Sequence, residues 1–436
     1  MPTTITASLP FSGVGALCAA CLLGSSGASA ADDPVTLKMW ALVNENHPEF
    51  VAEATAAFQK DHPNVSVELE SLPNEAYKTA LQVALVGSDP PDIFFNWSGE
   101  DAARLARAGL AMDLTELGAQ EGNYQTLVSE SWQEAFTFDG KQYGVPVEAV
   151  SKYFYYNTGY FDEHGLEVPE SFDELLGLCG SIRAIDAETV PFPLGNSERW
   201  KLNHFITVIN ERVLGLDALA DDYALSAPDD ELFADPGFVQ AWEKVLQMQD
   251  ADCFQDAPNA TSPEITRSLF SAEISPMIFC GTWCMSIFDG EGFTDYALFR
   301  FPMIEGGASD GSTNMVIPQG LQISASTEHP EEAVAYASHL VTAQMGKRYA
   351  QLRGVIPSNA ELVPEMDGAT DQFKFVAEDI ASLSGTFNVL DVMLEGGVSE
   401  AYLDMGTEVL NRSKTPAEAM AVIRDTALAS KAAMAQ

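Results

Sequence analysis

Three short segments decide the fold of this chain: VTLKMW at residues 35–40, VSVEL at 65–69 and DIFFNW at 92–97. The first two alternate apolar and polar residues, as half-buried strands do, and the third is the apolar run of a buried parallel strand. Two stretches with apolar residues at helical spacing, about Glu49–Asp61 and Asn74–Val86, separate these strands. The strand–helix alternation predicts a doubly wound α/β lobe.

A second group of elements begins near residue 138. An Asp-Gly pair at 139–140 predicts a turn between two short strands, and Val150–Tyr156 is a strand rich in aromatic residues. Ser171 and Glu174 form the pattern of a capping box at the start of a helix. Further along, Pro330–Tyr349 has the apolar spacing of one long helix.

The first thirty residues resemble a secretory signal peptide rather than part of the fold. An apolar run, Phe11–Leu23, precedes the small residues Ala28-Ser29-Ala30, although no basic residue comes before the run. We favour cleavage after Ala30 over lipid attachment at Cys21, because Cys18 stands where a lipid-attachment motif has Leu. The rest of the chain contains no apolar run of the ~20 residues that a membrane helix needs, and its length favours two domains.

The formal net charge is -42, which excludes nucleic acid as a partner because its phosphates would be repelled. The acidic residues are dispersed along the chain, and we interpret them as an adaptation that keeps the protein soluble in salty water. A receptor for a cationic solute such as a polyamine is the alternative. Cleavage at residue 30 would leave four cysteines, Cys179, Cys253, Cys280 and Cys284, whose pairing stays open. No His lies near the last two to complete a zinc site.

Known catalytic motifs are missing from the sequence: it has no HExxH, GxSxG or phosphate-binding loop. We therefore predict a binding protein with no catalytic residue, metal or cofactor. A hydrolase needs only two carboxylates, so a secreted carbohydrate-active hydrolase that uses Glu148 and Glu198 remains an alternative.

Aromatic and polar residues stand together at predicted strand ends, where open α/β sheets bind ligands. Sugars suit such a site, since their C–H faces stack on aromatic rings while amides and carboxylates bond the hydroxyls. The candidate ligand-binding residues are Trp40, Asn44, Asn96, Trp97, Glu148, Glu198, Trp200 and Trp283.

Four motifs, in this order and spacing, resemble those of the family 1 extracellular solute-binding proteins, the maltose-binding-protein-like receptors of bacterial ABC importers. They are the AAFQKDHPNVSV segment at 56–67, Pro91-Asp92-Ile93, the pair YGVP (143–146) and YYNTGYF (155–161), and VPESFDEL at 168–175. The resemblance covers nearly the whole chain after residue 30.

The resemblance implies a periplasmic-binding-protein type II fold: two α/β lobes, a hinge and a ligand cleft between the lobes. The loop after Trp40 departs from the maltose-binding type, because Asn44-Glu45-Asn46-His47 replaces an Asp-Lys pair, and so does the loop after Trp97. Maltodextrin is therefore not the expected ligand, whereas a carbohydrate is. We also expect no phosphorylated ligand, because basic residues look scarce around the predicted site.

By analogy with the family, the N-terminal lobe would comprise residues 31–140 and a return segment, 281–326. The C-terminal lobe would comprise residues 141–280 and the helical segment 327–436. We expect a monomeric periplasmic receptor that captures a sugar, closes on it and passes it to the permease subunits in the membrane.

Overall fold

The computed structural model describes residues 33–43, 47–359, 366 and 368–434. The predicted signal peptide, with Cys21, and the candidate residue Asn44 lie outside this part of the chain. Within it, no helix is long and apolar enough to cross a membrane.

The first lobe is built on parallel strands, as predicted. Both β2 and β3 pair in parallel with β1, so β1 lies between them. The elements in chain order are β1 (Val35–Leu42), α1 (His47–Phe58), β2 (Val65–Leu72), α2 (Asn74–Leu85), β3 (Ile93–Trp97), α3 (Glu100–Arg107), α4 (Thr115–Gly118), α5 (Glu130–Gln133), β4 (Thr137–Phe138) and β5 (Lys141–Gln142). The β4–β5 turn is the predicted Asp-Gly turn, with φ of 51° at Asp139 and 74° at Gly140.

The second lobe follows, and most of it is helical. Its capping box at Ser171 is confirmed, since Ser171 and Glu174 bond each other's backbone N–H groups. The elements are β6 (Val145–Asn157), α6 (Thr158–His164), α7 (Phe172–Ile185), α8 (Trp200–Leu214), α9 (Leu216–Tyr223), α10 (Pro236–Asp250), α11 (Pro263–Ser271), β7 (Met277–Gly281), α12 (Cys284–Gly290) and β8 (Tyr296–Phe299).

The chain then returns to the first lobe and ends on the second. The elements are β9 (Thr313–Ile323), α13 (Pro330–Leu340), α14 (Ala343–Arg353), β10 (Ile356–Pro357), α15 (Asp371–Ser382), β11 (Gly385–Phe387), α16 (Leu390–Met393), α17 (Gly396–Leu410) and α18 (Pro416–Met434). The single helix predicted over Pro330–Tyr349 is two helices, because the Thr342 side chain accepts a hydrogen bond from the Met345 N–H and starts α14.

Strand β6 connects the two lobes. Its residues up to Ser151 pair with β9, which in turn pairs with β3, whereas its residues from Lys152 onward pair with β7 and β8. The change of partner falls between two adjacent residues: Ser151 is opposite Val316 and Lys152 is opposite Gly281. Each half of β6 therefore belongs to a different lobe, and the hinge passes through this strand.

The strand pairing and packing differ from the expected lobe division in two places. Within 281–326, β8 pairs with the second-lobe half of β6, and only β9 returns to the first lobe. Within 327–436, α13 and α14 pack on α1 of the first lobe, where the Tyr336 hydroxyl bonds Thr55. The physical reason is that α1 needs a cover for its apolar face, which α13 and α14 supply.

The four cysteines that the structure describes form two disulfides in the second lobe. Cys179 of α7 bonds Cys253, which follows α10, and Cys280 at the end of β7 bonds Cys284 at the start of α12. The second disulfide brackets Trp283, one of the candidate site residues.

Candidate functional site

Two of the predicted tryptophans meet on the second lobe. Trp200 begins α8 and Trp283 directly precedes α12, and their rings lie edge to face with centroids 6.4 Å apart. Both side chains are half-buried. The Trp200 indole N–H donates to the Glu198 carboxylate at 2.7 Å, which brings a third predicted residue to the same place.

The Trp283 ring is seated on Gly281. A Cβ atom on Gly281 would lie 2.1 Å from the indole, so the ring occupies the space that any other side chain would need. The Tyr155 hydroxyl donates to the Gly281 carbonyl at 2.9 Å and holds this backbone in place. The position of Trp283 therefore depends on the glycine beneath it.

A buried lysine lies against these rings. The Lys152 ammonium is 3.8 Å from the Trp283 ring centroid and 5.5 Å from that of Trp200. Lys152 is 1% exposed, and no hydrogen-bond partner for its nitrogen lies among the described residues. Lys201, also buried, donates to the Phe279 carbonyl at 3.2 Å and lies 5.3 Å from the Trp200 ring.

Two further polar side chains on α8 are buried nearby. The His204 ring lies 4.9 Å from the Trp200 ring, and burial, reinforced by the charges of Lys152 and Lys201, holds the pKa of His204 well below its usual range. In the described part of the chain, neither the His204 Nδ1 nor either amide atom of Asn203 has a hydrogen-bond partner. Neutral His204 and Asn203 thus have hydrogen-bonding capacity to spare.

The first lobe contributes Trp97, which ends β3. The Lys78 ammonium of α2 lies 5.1 Å from the Trp97 ring centroid and 4.0 Å from the Asp391 carboxylate of α16. Burial raises the pKa of Asp391, against the opposing charge of Lys78. Beside this ion pair, the Asn388 amide donates to the Ser98 hydroxyl at 3.0 Å.

These residues lie together at the junction of the lobes. Lys152 and His204 lie against Trp200 of the second lobe, and the Lys78–Asp391 pair joins α2 of the first lobe to α16. We call this group the cleft cluster. It comprises Lys78, Trp97, Lys152, Glu198, Trp200, Asn203, His204, Trp283 and Asp391.

Asn96 supports the cluster rather than extending it. Its amide donates to Gln322 at 2.8 Å and to the Asp101 carbonyl at 3.3 Å, while its oxygen accepts from the Trp97 N–H at 3.0 Å. All its polar atoms are used within the protein. Asn96 therefore fixes the loop that carries Trp97.

Glu148 lies elsewhere, on the first-lobe half of β6. It is 1% exposed and pairs with Arg353 of α14 at 3.4 Å. The structure does not bring Glu148 together with Glu198, which bonds Trp200 on the second lobe. Trp40, at the end of β1, is half-buried and opposite Phe94 of β3.

The sequence analysis missed five members of the cluster: Lys78, Lys152, Asn203, His204 and Asp391. The expectation that basic residues are scarce here is wrong, because three lysines (Lys78, Lys152 and Lys201) lie at or beside the tryptophans. One signal was available, since Lys152 is the one charged residue in the predicted strand segment 149–156. No group of three potential metal-ligating side chains occurs in the residues that the structure describes.

The sequence pattern described as "bacterial extracellular solute-binding protein" matches residues 44–347. The chain therefore belongs to the family of bacterial extracellular solute-binding proteins, which are receptors that bind solutes.

Relatives and structures agree with this membership. An uncharacterised ABC transporter extracellular-binding protein of Pyrococcus horikoshii is 26% identical over 71% of this chain and 69% of the relative. The multiple sugar-binding protein of Streptococcus mutans is 25% identical over 68% of this chain and 69% of the relative. A structure from a study of xylan utilisation by Caldanaerobius polysaccharolyticus has a TM-score of 0.82 at 23% identity and covers 89% of this chain and 99% of that one. The last likeness shows that the chain has the two-lobed fold of these binding proteins.

Proposed function

We propose that this protein is the saccharide receptor of an ABC importer. The observation that carries the proposal is the cleft cluster, in which Trp200 and Trp283 lie against buried polar atoms that the described protein leaves without partners. Sugar rings present C–H faces to indole rings and hydroxyls to amides, imidazoles and carboxylates. The Streptococcus mutans relative, named a sugar-binding protein, supports the same ligand class.

The two lobes supply complementary halves of the proposed site. Trp97 and Lys78 come from the first lobe, whereas Trp200, Trp283 and His204 come from the second. A saccharide between them would contact both halves and favour the closed arrangement of the lobes. The permease subunits would recognise that arrangement.

The alternatives find less support. Glu148 pairs with Arg353 on the first lobe while Glu198 bonds Trp200 on the second, so the two carboxylates do not face one scissile bond. A cationic solute would be repelled by the Lys78 ammonium, which lies 5.1 Å from the Trp97 ring centroid. We therefore propose a receptor without enzymatic activity, monomeric, working outside the inner membrane, and exported by the predicted signal peptide rather than anchored at Cys21.

The test is a thermal-shift screen of the mature protein against neutral and acidic mono- and oligosaccharides, polyols and polyamines. A ligand at 100 times its Kd stabilises the protein by about 2.7 kcal/mol. We expect a shift with one class of saccharide and no release of reducing ends. Shifts with polyamines alone, or hydrolysis of an added glycan, would contradict the proposal.

A further inference from the structure

The protein is strongly acidic overall, yet three lysines lie close together at the cleft cluster. The whole chain has 22 Lys and Arg residues against 64 Asp and Glu. Three of those lysines nevertheless lie within 5.5 Å of the centroid of a cluster tryptophan ring: Lys78, Lys152 and Lys201. Two carboxylates lie beside these lysines: Asp391 pairs with Lys78, and Glu198 accepts from the Trp200 indole, so neither pairs with Lys152.

Lys152 differs from the buried cations elsewhere in the described chain. Buried Arg212 pairs with Glu211 and buried Arg353 pairs with Glu148, as a charge removed from water requires. Lys201 has a carbonyl partner at 3.2 Å. Lys152, equally buried, has a tryptophan ring against its ammonium and no acceptor among the described residues. Such a group is costly to keep unless something else supplies the acceptor.

We infer that the missing acceptor is a carboxylate on the ligand itself, so that the saccharide is an acidic one containing a uronic acid unit. The uronate packs against the parts of the Trp200 and Trp283 rings that Lys152 leaves free, and its carboxylate binds the Lys152 ammonium beside them. This inference rests on the proposed receptor function and narrows its ligand class. A buried ammonium forms a stronger hydrogen bond with a carboxylate than with a neutral hydroxyl.

Protonation supports the assignment. Burial lowers the pKa of Lys152, Lys201 and Arg267 lower it further, and Asp391 opposes them. The pKa of Lys201 falls to about 7, mainly through burial and Arg267, with Glu264 and Glu198 opposing. His204 adds no further positive charge, since its own pKa is lowered. A bound carboxylate favours the charged ammonium, so binding takes up a proton.

The experiment is titration calorimetry with oligogalacturonides, oligoglucuronides and oligomannuronates of two to four units. The matched neutral ligands are the methyl esters of the same oligosaccharides, which keep the ring and remove the charge. We expect the acid form of one series to bind at least tenfold more tightly than its ester. Repeating the titration in buffers of different ionisation enthalpy should show net proton uptake.

Two variants test the role of the lysine. Lys152→Met should abolish the preference for acid over ester and the proton uptake, while its melting temperature stays equal or rises because a buried ammonium is removed. Lys60→Met, at a surface lysine of the first lobe, is the matched control. It should change neither the preference for acid over ester nor the proton uptake.

The other outcomes separate this inference from the proposed function. Equal binding of ester and acid, or binding of neutral oligosaccharides alone, would overturn the inference and leave the receptor function standing. Preference for sulfated over carboxylated oligosaccharides would overturn the carboxylate assignment. Binding of no saccharide would overturn both.

Discussion

Gly281 decides where an aromatic side chain of the cleft cluster can lie. The Trp283 indole occupies the space into which a Cβ atom at position 281 would project, 2.1 Å from the ring. The glycine is thus a condition for the site, although it offers no side chain to a ligand.

Gly281→Ala should displace the Trp283 ring and weaken saccharide binding by at least tenfold, with a loss of about 1–3 kcal/mol in stability from overpacking. Calorimetry of the identified saccharide and urea unfolding would measure the two effects. Gly180→Ala is the matched control: it lies exposed in α7 with open space around its Cβ and should stabilise the helix by up to about 1 kcal/mol. Unchanged affinity in the first variant would contradict this account of the ring.

His47 should make the fold sensitive to acid. Its Nδ1 donates to the Leu42 carbonyl at 3.1 Å, and its Nε2 accepts from the Tyr349 hydroxyl at 3.0 Å. Burial, aided by Arg353, lowers the pKa of His47 from its ordinary 6.5 to about 3. Between these pH values His47 is protonated in the unfolded chain but not in the folded chain. The free energy of unfolding therefore decreases as pH falls below 6.5.

His47 should lower the free energy of unfolding by about 1.4 kcal/mol for each pH unit between pH 6.5 and its folded-state pKa. His47→Gln should reduce the slope of unfolding free energy against pH between pH 6 and 4 by up to this amount, measured by urea unfolding at each pH. Identical slopes for the variant and the parent protein would show that His47 is protonated in the folded state.

At the scale of elements, the two disulfides should differ in their effect on stability. The Cys179–Cys253 bond closes a loop with a sequence separation of 74 residues, whereas the Cys280–Cys284 bond has a separation of 4. The loop-entropy relation gives about 4 kcal/mol for the first and about 2 kcal/mol for the second.

Unfolding of the Cys179→Ala/Cys253→Ala and Cys280→Ala/Cys284→Ala double variants would test this order. The second pair should also weaken saccharide binding, because its disulfide brackets Trp283. A larger stability loss from the second pair than from the first would contradict the entropic argument.

The elements were predictable from the sequence where local patterns determine them. The β1–α1–β2–α2–β3 alternation, the Asp139-Gly140 turn and the Ser171 capping box are all confirmed. The break at Thr342 was not predicted, since a capping threonine in an apolar helical pattern looks like an ordinary helix residue. Lobe membership of α13 depends on its packing against α1, which no local pattern reveals.

The candidate site was predictable to the same extent. Three tryptophans that the structure places in the cluster, Trp97, Trp200 and Trp283, were predicted from the sequence, because ligands bind at strand ends in this fold class. Lys78, Asn203 and Asp391 were not found, because each stands in an ordinary helical pattern and is brought to the cleft only by the way α2, α8 and α16 pack.

At the scale of the whole molecule, one polar contact joins the lobes beside the cleft cluster. The Asn388 amide donates to the Ser98 hydroxyl at 3.0 Å, near the pair of Lys78 and Asp391. We expect these contacts to form when the lobes close, so that their free energy adds to that of ligand binding.

Asn388→Ala should remove about 1 kcal/mol from the closed arrangement and weaken saccharide binding about fivefold. Calorimetry would give the affinity, and small-angle X-ray scattering with and without saccharide would report the lobe arrangement. Asn411→Ala, at the C-terminal end of α17 away from the cleft, is the control. Equal affinities would show that this contact does not contribute to closure.

The position of β9 has a consequence for the order in which the protein can fold during synthesis. In the first sheet β9 lies between β3 and β6, although about 160 residues separate it from the end of β6. The N-terminal strands cannot reach their final arrangement until residues 313–323 have left the ribosome. The sheet of the first lobe is therefore completed late in synthesis, and we expect a chain exported by the predicted signal peptide to enter a translocation channel before this lobe has folded.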